Sequence, residues 1–295
     1  MCRGARNSDA WLPGVRAAIP VHPLRPRLIV RPRRGWQSLE LRELWRYREL
    51  FLVLALRDIR VRYKETVLGI AWAVIQPFFT MIVFTMIARF GNIPTDGVPA
   101  PIFYYCGMLP WFLFANALAA SGNSLLTSRN LIAKIYFPRL IIPMASVITS
   151  LVDFAISFLL LLAMMAWFRI LPGPQIVLLP FVVVLAFLAS LAFGFLFSAL
   201  NAQFRDVRHV MPFLIQFWLF CTPVLYPSSI VHDPWKRALL GINPLTGVID
   251  AFRWCLLGSP APGPVLAVSA GVIVAALVGS LYYFRRVERT LVDRL

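Results

Sequence analysis

Six apolar stretches recur along the 295 residues, at 66–88, 103–126, 140–168, 176–200, 210–225 and 264–284. Most approach the ~20 residues that a helix needs to cross a hydrocarbon core. The stretch 210–225 is short and must be tilted, met by a thinned bilayer, or completed by neighbours. The pattern predicts an all-α integral membrane protein with six transmembrane helices.

The polar segments between the stretches differ in charge. Fifteen Lys and Arg precede Thr66, and Arg129, Lys134, Arg139, Arg205 and Arg208 occupy the second and fourth gaps. Arg285, Arg286, Arg289 and Arg294 close the chain. The intervening gaps hold only Arg169, Lys236, Arg237 and Arg253, with Arg89 at a span edge. Positive residues collect on the cytoplasmic side of membrane proteins, so both termini are expected there.

Shorter elements fill the gaps. Ser38 can cap a helix with Glu40 in its first turn, and Leu41, Leu44, Trp45 and Arg48 share one face. This predicts an amphipathic helix lying along the membrane interface. The apolar run 50–56 is too short to cross and stops at the basic stretch 57–64. Gln76-Pro77 predicts a kink in the first span. Asn116 and Asn123 are expected to point inward, because lipid cannot satisfy an amide. In the loop 127–139, Leu131, Ile132, Ile135 and Tyr136 recur at the spacing of a short amphipathic helix, which Pro138 would end.

The gap 227–263 contains an apolar segment, 245–257, about two-thirds as long as the membrane is thick. It carries Asp250 and Arg253. Asn243-Pro244 marks a start and Gly258-Ser259-Pro260 a stop. A short segment that carries ions fits a re-entrant or interfacial helix packed on protein. Short re-entrant helices are therefore expected before the last span. A seventh crossing would put the tail arginines outside.

Composition agrees with a membrane bundle. Apolar residues are 59 % of the chain and charged residues 14 %, against about 45–50 % and 25 % in soluble domains. The net charge of +16 lies at predicted membrane borders, where it meets anionic lipid rather than nucleic acid. Residues 1–37 are rich in Pro and Arg and lack the apolar core of a signal peptide. They read as a flexible cytoplasmic extension, or as a stretch upstream of a natural start nearer Trp36. Residues 38–295 form one membrane domain.

Four scattered cysteines and three distant histidines show no metal spacing. Cys106 and Cys255 fall near the same predicted face and read as buried thiols in preference to a disulfide. The chain carries no Walker A sequence, nucleophile elbow or HExxH. Asp153 stands alone among the spans without a relay partner. It reads as a helix-to-helix polar contact in preference to an ion-coupling site. The bundle has no energy source of its own.

Three early blocks carry a resemblance: Arg46-Tyr47-Arg48-Glu49-Leu50, Arg57-Asp58-Ile59-Arg60-Val61-Arg62-Tyr63-Lys64, and 68–77 ending in Gln76-Pro77. The stretch 130–139, Phe204-Arg205-Asp206-Val207-Arg208, Pro223-Val224-Leu225-Tyr226, Asn243-Pro244-Leu245 and the ending 284–289 with Asp293 extend it. Together these resemble type-2 ABC exporter permeases, in the branch that moves lipid-linked polysaccharides such as O-antigen, capsule and teichoic acid.

The resemblance implies a transport subunit, not an enzyme, that forms a homodimer in the cytoplasmic (inner) membrane. Two copies of a separate ABC ATPase would bind ATP and Mg, and this chain would need no cofactor. The loop 125–137 would be the coupling helix, presenting Arg129, Asn130, Leu131, Ile132, Lys134, Ile135 and Tyr136 to the ATPase. Leu41, Leu44, Trp45 and Arg48 would belong to a gate helix at the inner mouth. Trp235, Phe252 and Trp254 would be candidates for the channel or outer mouth, where aromatics could stack on sugars. The same fold could carry a drug or lipid instead. A membrane glycosyl or acyl transferase would need clustered Asp, Glu or His on one face, and none stands out.

Overall fold

The computed structural model describes residues 41–64, 69, 71–231 and 233–288. The expected extension 1–37, the Ser38 cap and the last tail arginines lie outside them. Every regular element among the described residues is helical: α1 Leu41–Arg46, α2 Arg48–Lys64, α3 Ala71–Gly91, α4 Ala100–Thr127, α5 Arg129–Lys134, α6 Ile141–Trp167, α7 Leu179–Gln203, α8 Val207–Cys221, α9 Pro234–Leu240, α10 Pro244–Leu257 and α11 Pro264–Glu288. Short 3-10 turns at Pro174–Leu178 and Ser228–Ile230 precede α7 and α9.

Five helices, α3, α4, α6, α7 and α11, are long and apolar enough to cross a membrane. α4, α7 and α11 run toward one end and α6 starts from it, so α2, α5 and the end of α11 gather there, at the basic end. The loops before α4, α7 and α11 lie at the other. Proline in the first turn starts α4, α7, α9 and α10, a position where its missing N–H is not needed.

The sixth expected span is shorter than its apolar stretch. α8 has 15 residues, about 22 Å at 1.5 Å per residue. It stops at Cys221 because Thr222 precedes a proline and is extended, with φ −104° and ψ 137°. The interfacial segment also differs from expectation. The apolar run 50–56 and the basic run 57–64 form one helix, α2, because nothing between them breaks the backbone pattern.

α4 is the central mast. It is buried along most of its length against α6 and α7, whereas α3 and α11 leave most of their surface outside. The main core joins Ile102–Leu109 and Phe114 of α4 to Leu185 and Ala189 of α7 and to Val248 and Phe252 of α10. A second core at the basic end collects Leu54 and Ala55 of α2, Ile132, Phe137, Leu140 and Ile141, and Phe284 and Val287 of α11. Pro77 interrupts α3 without ending it. A proline cannot bond the carbonyl four residues back, and the Ser157 hydroxyl of α6 donates to that carbonyl, on Ala73, at 2.6 Å. A residue elsewhere in the bundle thus satisfies the group that lipid could not.

Candidate functional site

The loop expected to couple to an ATPase forms a six-residue helix, α5, and then an extended turn. Ser128 ends α4 and begins α5. Ile135 is already extended, at φ −131° and ψ 136°. The four apolar residues therefore do not share one face. Ile132 is 8 % exposed and belongs to the chain's own second core, whereas Ile135 and Tyr136 project outward at 53 % and 90 %. Arg129, Asn130 and Lys134 are exposed and Leu131 is half-buried. The expected common face is thus corrected: helix geometry ends before Ile135, so Ile132 anchors the loop while Ile135 and Tyr136 face away from it.

Arg139 fastens the base of this loop to the end of α11. Its backbone N–H donates to Glu288 Oε1 at 3.0 Å, and its guanidinium donates to the Glu288 carbonyl. Arg285 donates to Glu288 Oε2 at 3.1 Å. Phe137, beside it, is buried with Phe284 and Val287. A push on the loop would therefore be felt at once by α11 and α2, which share that core.

Of the residues expected in the gate helix, Leu41, Leu44 and Trp45 lie on α1, while Arg48 begins α2. Trp45 is exposed, with the Arg48 guanidinium 5.4 Å from its ring. The firm attachment is further along. Arg62 Nη1 lies 2.5 Å from Asp153 Oδ2 on α6, and Tyr63 donates its hydroxyl to Asp153 Oδ1. Burial, followed by the Asp153 hydrogen bond, holds the Tyr63 phenol well above its ordinary pKa and keeps it a donor. Asp153 is therefore the helix-to-helix contact expected of it, and its partners lie at the end of α2.

The 227–263 region folds as its punctuation predicts. The Asn243 side chain accepts from Leu245 N–H at 3.2 Å and caps α10, and Gly258 ends it in the left-handed region at φ 69°. Asn243 also accepts from Trp218 Nε1 and donates to Thr222 Oγ1 at 2.9 Å, tying α8 to α10. Sequence reading missed Arg253 as an anchor. It is 1 % exposed, donates to the carbonyls of Pro223 and Val224 at 2.9 and 2.7 Å, and lies 3.8 Å from the Phe103 ring centroid. Gly107 makes room for it, since a Cβ there would stand 2.9 Å from its Cζ. The signal was available: an arginine in a short apolar helix must find internal partners.

The three outer-mouth aromatics separate. Trp235 is exposed on α9, and Trp254 is half-buried on α10. Phe252 is 1 % exposed, in edge contact with Phe154 and Phe158 of α6. It cannot line a mouth of this chain, because α10 is covered on that face by α6. Cys106, Cys221 and Cys255 are free thiols. Among the described residues no group of His, Cys, Asp or Glu is placed to hold a metal ion.

The geometry is a bundle of membrane-length helices with an exposed loop at its basic end, a tethered helix, α2, beside that loop, and a capped set of short helices at the far end. The chain matches the ABC-2 type transporter family over residues 49–257, most of its length, and belongs to that family. It is 32 % identical to the O-antigen export system permease protein RfbA of Myxococcus xanthus over 256 residues, 84 % of this chain and 96 % of the relative. A protein of the same name from Klebsiella pneumoniae is 28 % identical over 70 % of this chain and 79 % of its own length. The polysialic acid transport protein KpsM of Escherichia coli is 26 % identical over 68 % and 78 %. The chain is thus a multi-pass membrane transport subunit.

Proposed function

We propose that this chain is the permease of an ATP-driven exporter that moves a lipid-linked polysaccharide across the cytoplasmic membrane. The observation that carries the reading is the near end-to-end match to a relative named for O-antigen export. Two chains pair around the path, and two copies of a separate ATPase bind ATP and Mg beneath them. Six crossings place both termini in the cytoplasm, with α8 as the short crossing and α10 re-entrant from outside. The positive-inside pattern supports that orientation. Exposed Ile135 and Tyr136, flanked by Arg129, Asn130 and Lys134, meet the ATPase. α1 and α2 form the gate at the inner mouth.

Deleting the gene tests the reading. The expected result is loss of surface glycan, with lipid-linked polysaccharide held in the inner leaflet and both restored by complementation. Normal surface glycan together with altered drug resistance would transfer the assignment to a small-molecule exporter.

A further inference from the structure

A narrow crevice opens between α3, α4 and α6, lined by Trp72, Gln76, Asn116, Ser150 and Asp153. It is wide enough for water, not for a whole sugar ring. Trp72 stands exposed on its margin. Gln76 is exposed and Asn116 half-buried. Neither amide side chain has a hydrogen-bond partner among the described residues. Ser150 is fully buried, with its hydroxyl unpartnered.

Gln76 and Asn116 sit within spans, where exposure of an amide to hydrocarbon costs several kcal/mol, on the order of 4–8. The face that carries them therefore borders water, a polar ligand or a second copy of the chain, and the crevice beside it, wide enough for water, favours the first two. What ligand it suits follows from the charges. Asp153 is neutralised by Arg62 at 2.5 Å, so the crevice draws neither a cation nor an anion. An amide offers both donor and acceptor, which matches a hydroxyl, itself both. An exposed indole offers a flat apolar face for the C–H side of a ring.

Resting on the exporter reading above, the geometry points to this crevice as a carbohydrate contact on the translocation path. A neutral sugar ring of the glycan lies across Trp72 and reaches its hydroxyls in toward Gln76 and Asn116. Asp153 at the floor joins this contact to α2, so displacement of α2 would change its shape.

The test uses the complete exporter in cells and in inside-out vesicles. Asn116→Leu and Gln76→Leu should each slow the appearance of surface glycan by about tenfold, as expected where ligand hydroxyls lose their amide partner. Membrane abundance and bound ATPase should stay at the parent level. Asn116→Cys, in a chain whose four native cysteines are replaced, should react with a water-soluble maleimide. It should react more slowly in vesicles from cells that make the glycan than in vesicles from cells blocked at the first sugar transfer. If the leucine variants lower abundance, the labelling comparison decides. Equal labelling rates in the two vesicle sets overturn the proposal. No labelling in either also overturns it, and means that a second copy of the chain or lipid covers the face. These failures would leave the exporter reading intact, whereas normal surface glycan in the deletion strain would overturn that reading itself.

Discussion

α5 with its loop and α10 are both short helices that interrupt a series of long ones, and both are bounded by turn signals. They end in opposite conditions. Nearly every residue of α10 is buried, its cap is bonded, and its single arginine donates to two backbone carbonyls. The α5 loop buries Ile132 and Phe137 and leaves Ile135 and Tyr136 outside. Large apolar side chains left together at the surface, rimmed by charge, mark an interaction site. α10 is thus an internal strut packed within this chain, and the α5 loop, on the exporter reading proposed above, is a plug for the ATPase.

The comparison breaks most readily at Arg253. Arg253→Met should leave two buried carbonyls unpaired and should cost about 4 kcal/mol, within the range for losing one partner of a buried charged contact. The expected outcome is a severalfold fall in membrane abundance and a lower melting temperature in detergent. A variant as stable as the parent would mean that α10 is not held by these bonds and is less of a strut than its burial indicates.

Ile132 is the next point, and it lies inside the plug. Its side chain belongs to the core shared with Leu54, Phe284 and Val287. Ile132→Asp should bury a carboxylate and destabilise the chain by about 3 kcal/mol. Loss of ATPase binding in that variant would follow from a damaged loop, not from a damaged contact. If melting is unchanged while ATPase binding is lost, Ile132 belongs with the exposed set and the division within the loop is wrong.

Much of this contrast was legible in the sequence. The long helices follow from unbroken apolar runs, and Asn243-Pro244 and Gly258 mark α10 to the residue. Local signals of that kind act within one turn of chain. The partners of Asp153 were not legible, because Arg62 is 91 residues away. Nor was the clasp between Arg139 and Glu288, 149 residues apart. Phe252 and Trp254 look equivalent on paper, two aromatics in one short helix. Only the presence of Phe154 and Phe158 against one face of α10 makes the first a core residue. The apolar periodicity of 131–136 misled for a related reason. It assumes that helix continues through Ile135, and the backbone has left the helix there.

The smallest effect on stability, and the sharpest test of the plug, comes from Tyr136. At 90 % exposure its ring has almost nothing to lose within this chain. Tyr136→Ala should therefore shift folding stability by no more than about 0.5 kcal/mol. Bound in a groove on the ATPase, the same ring would be an aromatic anchor of the kind worth about 2 kcal/mol or more when truncated, which is roughly a thirtyfold weaker complex. The two quantities are separable. Detergent melting of the purified chain reads the first, and titration of the purified ATPase against the chain reads the second. Unchanged melting with weakened ATPase binding and slowed export is the expected result. ATPase affinity equal to the parent's would show that Tyr136 faces water or the membrane surface, and that the loop's docking contact falls on Ile135 and the flanking basic residues instead.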